Sequence, residues 1–142
     1  MALAQDHLGS LLADITRLMR RSFARRLGDS PITMNEARAL KHVSRNEGVR
    51  QIDLAEMLEI QPIQLARLID RLAELELVER KIVPEDRRAY HIHLLPAAHK
   101  VIASFEKVAV VILDEAMAGL SRDQVSALMD SLNHIRNNLN PR

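Results

Sequence analysis

The chain contains no cysteine, and that one absence removes disulfides, thiolate metal ligands and cysteine-based redox sensing together. Aromatic residues are nearly as scarce: Phe23, Tyr90 and Phe105 are the only three, so the core has to be built from Leu, Ile, Val, Ala and Met. With four glycines and five prolines there are few helix breakers, and such an aliphatic sequence favours helices. Long hydrophobic runs are also missing. The longest, Val108 to Leu113, is far too short for a bilayer, and the first seven residues lack the basic and apolar regions of a signal peptide. A cytoplasmic chain with no membrane partner is therefore expected. Neither charge sign dominates: 20 basic residues face 19 acidic ones, so any nucleic-acid surface must come from local placement. There is no nucleophile elbow, Gly-rich phosphate loop or His-Glu-x-x-His motif, which argues against an enzyme and against a bound cofactor.

What is present is helical periodicity. Leu8, Leu11, Leu12, Ile15, Leu18, Met19, Phe23 and Leu27 recur at three- and four-residue steps, predicting one long helix closed by Gly28-Asp-Ser-Pro31. Thr33-Met-Asn-Glu36 has capping-box spacing, which starts a second helix running from about Met34 to Asn46. Asn46-Glu-Gly48 supplies a turn before a short third helix from Gln51 to Leu58. A fourth starts near Pro62, a residue tolerated in a first helical turn that has no acceptor for its missing N–H. Leu77 to Val83 and Ala89 to Leu94 have strand length and alternation, with Pro84-Glu-Asp-Arg-Arg88 as the turn between them. A fifth helix follows Pro96, and Ser121-Arg-Asp-Gln124 caps a sixth. The predicted fold is mainly α with a small β-hairpin wing: a winged helix-turn-helix lobe over 31–95, inside a single domain of 1–142. Long dimerisation helices occupy 1–30 and 96–142. Their apolar stripes are longer than a lobe of about 65 residues can cover, and a second copy is the economical partner.

Short helix, turn, polar-faced helix, two strands and a charged tip is the order that double-stranded DNA readers use. On the fourth helix Gln64, Arg67 and Arg71 share one face while Leu65, Ile69 and Leu72 line another. Arginine can bind guanine O6 and N7 together, and glutamine adenine N6 and N7. Gln61, Gln64 and Arg67, near the Pro62 end, are the base-reading candidates; Arg71 is placed for a phosphate or for Glu74. At the tip, Asp86 is spaced to orient Arg88 toward a minor groove, with Arg87 beside them.

These residues carry a family resemblance. Leu8-Gly-Ser10, Gln51-Ile-x-Leu-Ala55, Leu65-Ala-Arg-Leu-Ile-Asp70, Leu77-Val-Glu-Arg80 and Asp86-Arg-Arg-Ala89 resemble the MarR family of transcription regulators, and within it the SlyA branch. The resemblance covers essentially the whole chain. It implies a homodimer on a pseudo-palindromic promoter site, with Arg67 as the base-contacting arginine and Arg88 as the minor-groove arginine. Two departures stand out. Leu94-Leu-Pro-Ala-Ala-His99 replaces the common Leu-Thr-x-x-Gly after the wing, and Glu76 replaces the usual glycine before it.

The resemblance also implies a small anionic aromatic effector, held between the dimerisation helices and the lobe. By position, Arg17, Arg20 and Lys41 are its expected ligands, and guanidinium and ammonium groups suit a carboxylate. Ala37 stands where an aromatic wall is expected, so weaker stacking is anticipated. Arg17, Arg20, Arg21, Arg25 and Arg26 form a basic run that is equally well read as a solvated face. His91, His93 and His99 raise the alternative of a metal-responsive regulator. They lack a carboxylate or thiolate at ligand spacing, so no metal is expected and solvated or phosphate-facing histidines are the simpler reading. A winged helix used only for protein contact is the remaining alternative.

Overall fold

The Thr33 hydroxyl accepts from the Glu36 N–H at 3.2 Å and the Glu36 carboxylate accepts from the Thr33 N–H at 3.1 Å, so the expected capping box starts α2, Met34–Arg45. These geometries come from a computed structural model that describes residues 2–140, with side chains from His7 onward. Before α2 runs α1, Ala2–Leu27; after it come β1, Val49–Arg50, then α3, Gln51–Leu58, and α4, Pro62–Glu74. The chain continues through β2, Val78–Val83, β3, Asp86–Leu94, α5, Pro96–Ala116, and α6, Arg122–Leu139.

Leu40 and Val43 of α2, Leu54 and Leu58 of α3, Leu65, Ile69 and Leu72 of α4, and Val78 and Ile92 of the sheet are all buried in one core. α4 contributes the stripe its spacing predicts and is held by that face with the opposite face outward, whereas on α3 Leu54, Ala55 and Leu58 are buried and Ile52, expected inward with them, is exposed. Two helix ends turn through left-handed backbone without glycine: Glu59 at φ 54° after α3 and Glu76 at φ 58° before β2. Glu76 thus takes a conformation that glycine adopts freely and a side chain strains.

The sheet differs from expectation in two ways. It has three antiparallel strands in the order β1-β3-β2, because Val49 and Arg50 pair with Ile92 and His91. A two-residue strand has no periodicity to read, which is why the sequence shows only a turn there. Val83 pairs with Asp86, so the turn is Pro84-Glu85 alone, and Asp86, Arg87 and Arg88 belong to β3.

The chain divides into two compact units, residues 1–109 and 110–142. In the first, Phe23 and Leu27 at the end of α1 pack against the core, with the Phe23 and Phe105 rings stacked at 6.5 Å. The earlier part of the same stripe, Leu8, Leu11, Leu12, Ile15 and Leu18, is exposed. In the second unit, the Ser121–Gln124 capping box opens α6 as predicted, yet no residue of α6 is buried. Val110, Val111, Leu113, Leu120, Leu128 and Met129 are exposed there. No described helix is long and apolar enough to cross a membrane.

Candidate nucleic-acid interface

With Leu65, Ile69 and Leu72 turned into the core, helical geometry sends Arg67 straight outward, flanked by Ile63, Gln64 and Arg71. Arg67 is exposed and has no ion pair or hydrogen bond among the described residues, so its fork is free for a ligand. Gln61, Pro62 and Gln64 are exposed as well, and Gln64 Oε1 accepts a long 3.4 Å bond from the Gln61 N–H. A bond that long is readily exchanged for a base edge.

Arg71 is engaged otherwise than expected. Its Nε donates to both oxygens of Glu36 at 3.0 and 2.9 Å, and its Nη2 donates to the Pro31 carbonyl at 2.7 Å, so neither Glu74 nor open solvent takes those groups. The cause is tertiary: Glu36 is the one charged residue buried among the described residues, and its carboxylate needs a cation. Arg71 therefore fastens α4 to the start of α2.

A second fastener escaped sequence reasoning. Arg80 of β2 donates Nη1 to Asp70 at 2.6 Å, Nε to Gln51 at 2.8 Å and Nη2 to the Ala66 carbonyl at 3.0 Å, with its guanidinium over the Tyr90 ring at 5.6 Å. One planar group thus joins α3, α4 and the wing. The motif Leu77-Val-Glu-Arg80 was visible, but its contact with Asp70 requires the fold.

At the wing, Asp86 does not orient Arg88. Its carboxylate lies 3.3 Å from His91 Nε2 and 4.0 Å from Arg50 Nη1: β1 brings Arg50 alongside, and the register shift between Lys81 and Val83 brings Asp86 back toward His91 of its own strand. Arg87 and Arg88 stay exposed with no partner among the described residues. His91 is mostly covered; its Nδ1 lies 3.0 Å from the Gly48 carbonyl, which corrects the picture of a solvated or phosphate-facing ring. His93 sits 3.5 Å from Glu47. Gly48 sits at φ 82°, where any side chain is strained, and a Cβ there would also crowd the His93 ring at 3.2 Å. Arg50 and Asp53 pair at 2.9 Å; that hydrogen bond raises the arginine pKa and lowers the aspartate's.

Between α1, α2 and the first part of α5 lies a cavity of about 300 Å³ lined by Arg20, Arg38 and Lys41, with Glu106 as its acid. Two of the three expected anion ligands are here. Arg17 is not: one turn nearer the start of α1, it lines a neighbouring surface recess that Arg20 also borders, and it pairs with Asp14 at 3.4 Å. Arg38 joins the set unforeseen. The aromatic wall missing at Ala37 is supplied by Phe23 and Phe105, which line the same cavity from α1 and α5. The positive field is also felt by His42, whose pKa is pushed below 6.5 by burial and then by Arg38, Arg45 and Lys41.

A sequence model of the MarR family matches residues 32–90. The solved structure of transcriptional regulator PA3341 is 33% identical, covering 92% of this chain and 96% of its own, with a TM-score of 0.80. The chain belongs to the MarR family. MarR-family members of this kind are transcription regulators and not enzymes. Two more distant matches share the fold. One is a mutant MarR from E. coli complexed with operator DNA, 22% identical over 90% of this chain and 92% of that one, TM-score 0.82. The other is BpsR of Bordetella bronchiseptica, whose DNA binding is regulated by 6-hydroxynicotinic acid; it is 20% identical over 92% of this chain and 93% of that one, TM-score 0.82. The arrangement that aligns with those structures is, among the described residues, six helices with a small antiparallel sheet.

Proposed function

We propose that this MarR-family chain is a homodimeric, sequence-specific reader of double-stranded DNA whose binding is released by a small aromatic acid. The observation that carries the DNA reading is the contrast among its arginines. Arg71 and Arg80 hold α4, while Arg67 on α4 and Arg87 and Arg88 on the wing stand exposed without partners among the described residues. A helix fixed by its neighbours and presenting a free fork suits guanine recognition, and free arginines on a hairpin suit a narrow minor groove. The complex of a mutant MarR with operator DNA supports the same use of this fold.

The homodimer rests on uncovered apolar surface: the first part of the α1 stripe and the exposed aliphatic residues of 110–142 need a partner, and a twin supplies one by two-fold symmetry. Half-sites then lie about one helical turn apart. For the effector, Arg20, Arg38 and Lys41 face one cavity with two phenyl rings, which fits an aromatic carboxylate. The action of 6-hydroxynicotinic acid on BpsR supports that class.

Mobility shifts with the chain's own upstream DNA test the reading. Arg67→Ala should relax base preference at one position per half-site, costing about 1–3 kcal/mol, whereas Arg88→Ala weakens all sequences more uniformly. Undiminished binding by the double variant removes the mechanism. Calorimetry with salicylate and Lys41→Ala tests the cavity separately: affinity independent of Lys41 places any ligand elsewhere.

A further inference from the structure

Ile63 is 64% exposed, more than any other large hydrophobic side chain in residues 31–95. It occupies the first turn of α4, beside Pro62 and Gln64 and one turn before Arg67. At 100° per residue, Ile63 and Arg67 point within about 40° of one another, on the side away from Leu65, Ile69 and Leu72. Exposed isoleucines scattered singly are ordinary, but this one stands among the free polar groups of the face that enters DNA in the proposed function. The bases display a single apolar group in the major groove, the C5 methyl of thymine.

We infer that Ile63 is a specificity-determining residue that reads a thymine methyl in each half-site. The inference rests on the DNA-reading function above and adds to it a base that no hydrogen-bonding side chain of α4 identifies. Position sets where that thymine is. Four residues of helix rise about 6 Å and successive bases about 3.4 Å, so it lies within about two base pairs of the base that Arg67 contacts. Contact with β-branched carbon there excludes water from both methyl surfaces, and thymine is preferred over cytosine without any polar partner.

The test uses the highest-affinity duplex selected by the full-length protein from random DNA, with each thymine replaced in turn by deoxyuridine, which lacks only the methyl. Wild-type protein should lose affinity about four-fold at one thymine per half-site, the worth of one buried methyl. Ile63→Ala, which removes the contact from both half-sites, should bind the parent duplex with a loss of about sixteen-fold and be indifferent to the replacement. Ile63→Val, which keeps branched carbon, should retain discrimination. The helix is not at risk, because alanine is the better helix former at an exposed position and thermal melts should coincide. Two results overturn the inference while leaving DNA reading intact: no deoxyuridine position matters although Arg67→Ala still relaxes preference, or Ile63→Ala stays as sensitive as wild type. Selection that enriches no sequence removes the inference together with the function it rests on.

Discussion

Replacing Arg71 separates a structural arginine from a DNA-contacting one. The Glu36 carboxylate is 5% exposed and has two kinds of donor: the Thr33 N–H at 3.1 Å, and Arg71 Nε bridging both oxygens at 3.0 and 2.9 Å. Arg71→Ala leaves that buried charge with one backbone donor and also frees the Pro31 carbonyl. Orphaning a fully buried charge costs about 3–5 kcal/mol. Arg71 itself is 55% exposed, so water occupies the vacated space, and about 2 kcal/mol is the better figure. In a chain of this length that lowers Tm by about 4–8 °C. Glu36→Gln keeps an acceptor without the charge and should cost about 1 kcal/mol, and the double variant should cost less than the sum. Urea melts at one fixed protein concentration measure all three, and the slope should stay constant. DNA affinity of Arg71→Ala, taken where it is fully folded, should stay within about three-fold of wild type. Wild-type stability combined with a marked loss of DNA affinity would refute the reasoning and make Arg71 a phosphate contact.

Three further outcomes are expected. Glu76→Gly relieves a left-handed side chain costing about 1–2 kcal/mol and pays about 0.5–1 in chain entropy, so urea melts should show a gain of roughly 0.5–1 kcal/mol. His42 has its folded pKa below 6.5, so between the two values the unfolded chain binds more protons. Its contribution is complete above about pH 6.5 and is lost as pH falls through the lowered folded value; His42→Gln should flatten that part of the stability profile. Arg80→Lys cannot reach Asp70, Gln51 and the Ala66 carbonyl together, and should cost about 1–2 kcal/mol and weaken DNA binding alongside. A lysine variant with unchanged melting would mean the fork geometry is immaterial.

The sequence by itself determined the elements, because what specifies them is local. Capping boxes at Thr33 and Ser121, proline at the start of α4 and three- and four-residue apolar steps act within one or two turns, and each appears where its residues place it. The reading helix was legible for the same reason, since the burial of Leu65, Ile69 and Leu72 leaves Arg67 no other direction. β1 was not, having only two residues and a partner some forty positions away. Tertiary structure alone decided which charges are free. Arg71 and Arg67 differ by four positions on one helix face, yet Glu36, 35 residues earlier, takes the first and no described residue takes the second. Asp86 was drawn from Arg88 to Arg50 by strand pairing and to His91 by the register shift in the hairpin, and the aromatic side of the cavity came from Phe23 and Phe105, 82 positions apart. Spacing along a chain says which side chains share a face; only packing says which buried charge or neighbouring ring will meet them.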